Sequence, residues 1–118
     1  VEIDLTGQVC SESVGHRELS GIGGASETHV GAQRSAGGKG IIALYSTTVK
    51  GESKIVFALK PGSKVSISRN DVDTVITEFG VARLKGKSVG ERVKAMVAIA
   101  HPDFRDRLLA EARKEQYI

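Results

Sequence analysis

The chain has one cysteine, Cys10. That excludes an intramolecular disulfide and any metal site built from a cysteine cluster. It fits a reducing compartment, so a cytoplasmic protein is expected, or a mitochondrial one in a eukaryote. There is no tryptophan, and aromatic residues make up only 4% of the sequence, so the core must be built from Val, Ile, Leu and Ala. No segment approaches the roughly 20 apolar residues of a membrane span, and no secretory leader is visible. No membrane partner is expected. Charge of one sign is also scarce: 17 Lys and Arg against 14 Asp and Glu leave a net +3. So small an excess does not call for nucleic acid, and an acidic metabolite or nucleotide-like ligand fits equally well. The three histidines, His16, His29 and His101, lack the spacing of a metal site.

What the chain does have is enough apolar residue, 40% of 118, for one domain with a real core. It also has 14 glycines, concentrated between Gly21 and Gly40. Glycine costs about 0.5–1 kcal/mol inside a regular element. Glycine this dense therefore implies backbone that turns tightly or approaches a ligand.

Val1-Glu2-Ile3-Asp4-Leu5 alternates as a strand from its first residue. We read the chain as the interior of a longer polypeptide. Residues 6–24 read as loop. Residues 25–35 have helical character, with Gly37-Gly38 as a C-cap pair. Residues 41–45 form a short apolar run suited to a buried strand. A hairpin loop with Lys50-Gly51 at its tip follows. Strand patterns are then expected at 54–59, 65–68 and 72–77, with Pro61-Gly62 as a type II turn and Phe79-Gly80 as a break. Ser88-Val89-Gly90-Glu91 is a capping box, followed by Val89, Val93, Met96, Val97 and Ala100 at helical spacing. Pro102 suits a first helical turn. Phe104, Leu108, Leu109 and Ala112 give a second amphipathic helix. The order predicts α/β or α+β, with a helical pair covering the sheet.

Gly21-Ile22-Gly23-Gly24 precedes a helix starting near Ala25. Free amides and the helix dipole there suit a phosphate, carboxylate or developing oxyanion. A plain tight turn is the alternative. The stretch is neither a Walker loop nor a dinucleotide fingerprint. Glu27 suits a helix N-terminus as a carboxylate, and a nucleophile or base is the other reading. His16 and His29 flank the loop, but exposed or capping roles suit all three histidines, and His101 marks a helix boundary. Glu78 ends a β-branched strand, where ligand crevices form, or else pairs with Arg83 or Lys85. Ser68-Arg69-Asn70-Asp71 reads as a loop held by side-chain hydrogen bonds.

The segments Val1-Glu2-Ile3-Asp4-Leu5-Thr6-Gly7-Gln8-Val9, Ser20-Gly21-Ile22-Gly23-Gly24, Gly37-Gly38-Lys39 and Ser68-Arg69-Asn70-Asp71-Val72 stand in order along the chain. Thr77-Glu78-Phe79-Gly80-Val81-Ala82, Leu84-Lys85-Gly86-Lys87-Ser88 and Ile99-Ala100-His101-Pro102-Asp103-Phe104-Arg105 follow. Together they resemble the C-terminal region of the acetyl-CoA hydrolase/transferase family. That family includes the 4-hydroxybutyrate and butyryl/acetate CoA-transferases. The resemblance implies a CoA-transferase-like α/β fold of two similar halves, each an open sheet with flanking helices, with residues 1–118 an N-terminally incomplete part of the second. It implies CoA thioester as substrate, with no covalently bound resting cofactor. CoA passes to a short-chain carboxylic acid through a glutamyl-CoA intermediate. The nucleophilic glutamate is implied upstream, so no catalytic residue is expected on this chain.

Gly21, Gly23 and Gly24 are then expected to serve the oxyanion and CoA, with Glu27, His29 and Lys39 as ligand contacts. Implied partners are the N-terminal catalytic half, acyl-CoA, the acid and further copies in a homo-oligomer. Many relatives carry Gln, any residue, then Asp-Phe after the double glycine, where this chain has Ala25-Ser26-Glu27-Thr28. A commonly found Arg is Val30. These changes leave the backbone role of the loop intact and alter its side-chain contacts. Hydrolysis, in which water resolves the glutamyl thioester, is the near alternative. A non-catalytic ligand-binding or docking module is the more distant one.

Overall fold

The computed structural model describes residues 1–118. Its α/β architecture consists of three small sheets and three helices. Strands β1 (Glu2–Asp4), β2 (Val9–Cys10) and β6 (Ile55–Val56) form the first sheet, in the order β2-β1-β6. β1 is antiparallel to β2 and parallel to β6. β3 (Ser13–Val14) and β4 (Arg17–Glu18) form a two-stranded ribbon. β5 (Ile41–Ala43), β7 (Thr74–Thr77) and β8 (Gly80–Arg83) form the third sheet, in the order β5-β7-β8, parallel then antiparallel. The helices are α1 (Ala25–Arg34), α2 (Val89–Ile99) and α3 (Pro102–Lys114). None is long and apolar enough to cross a membrane.

Residues 6–24, expected as loop, contain three two-residue strands. Elements this short show no period in the sequence. The turn into β2 is instead organised by Asp4, whose side chain is buried. Its Oδ1 accepts from the Thr6, Gly7 and Gln8 amides and the Thr6 hydroxyl, and its Oδ2 from Gln8 Nε2 at 2.6 Å. Donors this numerous offset the cost of burying a carboxylate.

Other boundaries also shift. The strand expected at 54–59 shrinks to β6, and 65–68 contributes one isolated bridge, Val9 to Ile67. β7 occupies only the last four residues of 72–77. Phe79-Gly80 does not end the sheet. Glu78 and Phe79 form a two-residue connection, and β8 returns with Thr77 opposite Gly80. Ser35, rather than the Gly37-Gly38 pair, caps α1, its amide reaching the Gly31 carbonyl. The hairpin loop is present, closed by a Thr47–Ser53 bridge. So is the Pro61-Gly62 turn, with Gly62 at φ +85° and the Ser63 amide on the Lys60 carbonyl.

The largest correction concerns 41–45. β5 is not buried: Ile41 is 49% exposed and Tyr45 74%. One face of the third sheet, carrying Ile42, Val75 and Ala82 in register, joins the core under α2. The opposite face carries Ala43, Ile76 and Val81 in register and has no layer over it.

α2 begins at the capping box. The Ser88 hydroxyl accepts the Glu91 amide at 3.3 Å, and the Glu91 carboxylate accepts the Ser88 amide at 2.7 Å. Those Ser88 bonds hold the Glu91 carboxyl below its ordinary value. Val93, Met96, Val97 and Ile99 face inward, whereas Val89 is left outside at 40% exposure. α3 starts on His101, whose Nδ1 accepts the Asp103 amide, and packs Leu108 and Ala112 inward. Ser88→Ala removes one cap and is expected to cost the domain about 1 kcal/mol. A lowered urea midpoint measures it, and an unchanged midpoint refutes it.

Candidate functional site

The glycine turn runs from the β3–β4 ribbon into α1. Its near end is pinned at Glu12, whose carbonyl accepts the Leu19 amide at 2.9 Å and the Ser20 amide at 3.2 Å. The Glu12 carboxylate accepts the Ser66 hydroxyl at 2.9 Å, and the Ser66 hydroxyl accepts the Ser11 amide. Gly23 has φ +64°, a conformation that costs other residues strain. Gly24 is the N-cap of α1 and, lacking a side chain, caps nothing. The Gly23 and Gly24 amides find no acceptor within the chain. The turn is exposed, and a side chain added at Gly21 or Gly23 would meet nothing within 4 Å. The sequence therefore builds an open row of donors at a helix start.

Beside the turn, α1 and the start of β5 bound a cleft of about 400 Å³. Thr28, His29 and Ala32 line it from the helix, with Lys39, Ile41 and Ile42 facing them. His29 and Lys39 are thus brought together. Glu27 stays outside, exposed in the first turn of α1.

The expectation of an exposed or capping His29 is overturned. The ring is only 6% exposed, and its Nε2 accepts the Asp73 amide at 3.2 Å. Burial holds the imidazole below its ordinary value, with the Asp73 and Asp71 carboxylates opposing that shift. His16 lies instead against Gly62, and His101 caps α3 as expected.

Glu78 pairs with neither Arg83 nor Lys85. Its Oε1 accepts the Ser46 amide at 2.8 Å. What burial it has raises its pKa, but the Ser46 bond outweighs this and the carboxyl sits below its ordinary value. The 68–71 loop is held as expected, with the Asn70 amide on the Ser68 hydroxyl. Arg92 adds a clamp that the sequence did not reveal, donating to the Thr6 and Arg69 carbonyls at 2.8 Å. Nor was Glu12–Ser66 foreseeable, since 54 residues separate the partners.

Open backbone amides at a helix start are a setting suited to anionic groups. The chain belongs to the acetyl-CoA hydrolase/transferase family: residues 1–112 match the model of the acetyl-CoA hydrolase/transferase C-terminal domain. It is 51% identical to the 4-hydroxybutyrate coenzyme A transferase of Clostridium kluyveri, over 97% of this chain and 27% of that protein. It is 49% identical to the succinyl-CoA:cyclohexane-1-carboxylate CoA transferase of Geobacter metallireducens, over 97% of this chain and 26% of that protein. The acetyl-CoA hydrolase of Yarrowia lipolytica is more distant, at 33% identity over 99% of this chain and 22% of that protein.

Among solved structures, RipA from Yersinia pestis superposes with a TM-score of 0.90 at 41% identity, covering 99% of this chain and 26% of that one. A 4-hydroxybutyrate CoA-transferase from Porphyromonas gingivalis gives 0.71 at 42%, covering 98% of this chain and 25% of that one. The chain spans about a quarter of the length of the curated relatives it matches.

Proposed function

We propose that this chain is the C-terminal domain of a CoA-transferase that moves CoA between an acyl-CoA and a short-chain carboxylate. The family match over residues 1–112 carries this reading. The greater distance of the hydrolase relative favours transfer over hydrolysis. In the proposed reaction, a glutamate from the rest of the protein attacks the thioester carbonyl and CoA leaves as thiolate. The thiolate then attacks the glutamyl carbonyl of the resulting anhydride, releasing the first acid and leaving glutamyl-CoA. The second carboxylate and the returning thiolate repeat these steps in reverse. Each addition places negative charge on a carbonyl oxygen. The open amides at Gly23 and Gly24 are the donors we assign to that oxygen, and one such donor is worth about 2.7–4 kcal/mol. Lys39, exposed at the mouth of the cleft, suits an anionic ligand group.

The partner we assign is the N-terminal part of the same polypeptide, packed on the bare face of β5-β7-β8. A sheet with parallel pairing is ordinarily covered on both faces. Here Ile41 and Val81 lie about half exposed, and β5 is an unpaired edge. Such an edge invites another strand.

Incubating the full-length protein with acyl-CoA and reducing with borohydride tests the covalent route. Intact mass is expected to reveal the reduced glutamyl group, and peptide mapping to place it upstream of Val1. Absence of any acyl-CoA-dependent mass change sinks the glutamyl-CoA reading.

A further inference from the structure

The glycine turn sits at the start of α1, so whatever fixes α1 fixes the turn. The helix is weak by itself. It has ten residues, includes Gly31 and the β-branched Thr28 and Val30, and has no side-chain cap. Isolated helices of that length are marginal. Two side chains one turn apart hold it down. His29 Nε2 accepts the Asp73 amide at 3.2 Å. Gln33 Nε2 donates to the Asp71 carbonyl at 2.6 Å, and its Oε1 accepts Lys85 Nζ at 3.0 Å. Gly40 makes room for both: a Cβ there would stand 2.8 Å from His29 Cε1 and 2.9 Å from Gln33 Cγ.

We propose that His29 is a positioning residue, a neutral imidazole that latches α1 to the segment entering β7 and so fixes the glycine turn. The inference rests on the reading of that turn as part of a CoA-transfer site. The chemistry of the latch is one-sided. Neutral imidazole has one acceptor nitrogen, whereas in imidazolium both nitrogens donate. A protonated His29 therefore turns an N–H toward the Asp73 N–H, and the bond is lost.

The groups facing the ring are mixed. Asp73 and Asp71, ahead of β7, favour the proton, and Lys85, after β8, disfavours it. Lys39 lies across the cleft. Desolvation outweighs these and keeps the folded value below the ordinary one. The unfolded state then takes up the proton first as pH falls. The latch contributes fully above about pH 6.5 and is lost as pH drops toward the lower folded value.

The test uses the full-length protein, with CoA-transfer kinetics across pH and residue-resolved amide exchange. His29→Ala is expected to speed exchange of the Asp73 amide and lower kcat/KM about tenfold at pH 7.5, as loss of a buried bond does. His29→Gln keeps an acceptor at the same reach. It is expected to restore rate and protection to within about threefold and to abolish the decline at acid pH that protonation of His29 produces. A general packing role would leave that decline in place. The latch is refuted if His29→Gln is as impaired as His29→Ala, or if its acid limb matches the unmodified protein's. If the protein transfers no CoA at all, the proposed function fails, while Asp73 exchange still decides the latch.

Discussion

In the full-length protein, Gly24→Val is expected to lower kcat for CoA transfer about a hundredfold, the scale of losing one oxyanion donor. His29→Ala is expected to cost less. The structure makes Gly24 the cleaner position to alter. Its φ of −100° is open to any residue, and an added Cβ would meet only Thr28 Cγ2, at 4.0 Å. The chain leaves room for a Cβ at this position. Replacing a glycine N-cap by a β-branched residue costs about 1 kcal/mol of helix stability, too little to unfold the domain. A large kinetic loss would therefore report what approaches the turn from outside. Gly23 would confuse the result, since a side chain at φ +64° adds strain of about 1–2 kcal/mol whatever binds there. Steady-state kinetics of the two variants decide the matter, and equal activities remove the turn from the mechanism.

The second large effect is all or nothing. The 118-residue chain by itself is expected to show no transfer of CoA from acetyl-CoA to butyrate. Co-expression with the rest of the protein is expected to restore it. The turn supplies electrostatic stabilisation, but a carboxylate nucleophile must also be held in place and desolvated. In the proposed mechanism that glutamate lies outside this chain. The exposed apolar face of β5-β7-β8 is consistent with a missing layer. Measurable turnover by the isolated chain would overturn the assignment of the nucleophile and return Glu27 to consideration.

Legibility followed the range of the interactions. The α2 capping box, the His101-Pro102 boundary and the Pro61-Gly62 turn were all readable, because each is settled within about four residues. Elements defined by distant partners were not. β3 and β4 have two residues each and exist by pairing with one another. β8 is hidden behind a glycine that looked like a stop, although its φ of +146° lets a two-residue connection reverse the chain. His29 looked like an exposed histidine because Asp73 lies 44 residues away. In the sequence, only the four-residue spacing of His29 and Gln33 signals one polar face on α1.

By itself, the sequence determined the family, the α/β class and the place of the glycine turn before a helix. Ordered motifs and local backbone preferences are written in the residues themselves. Only the tertiary structure decided that Ile41–Ala43 is a half-exposed edge rather than a core strand, and that His29 faces the Asp73 amide rather than solvent. Burial is a property of what packs alongside. An apolar run reads the same whether a second layer covers it or not.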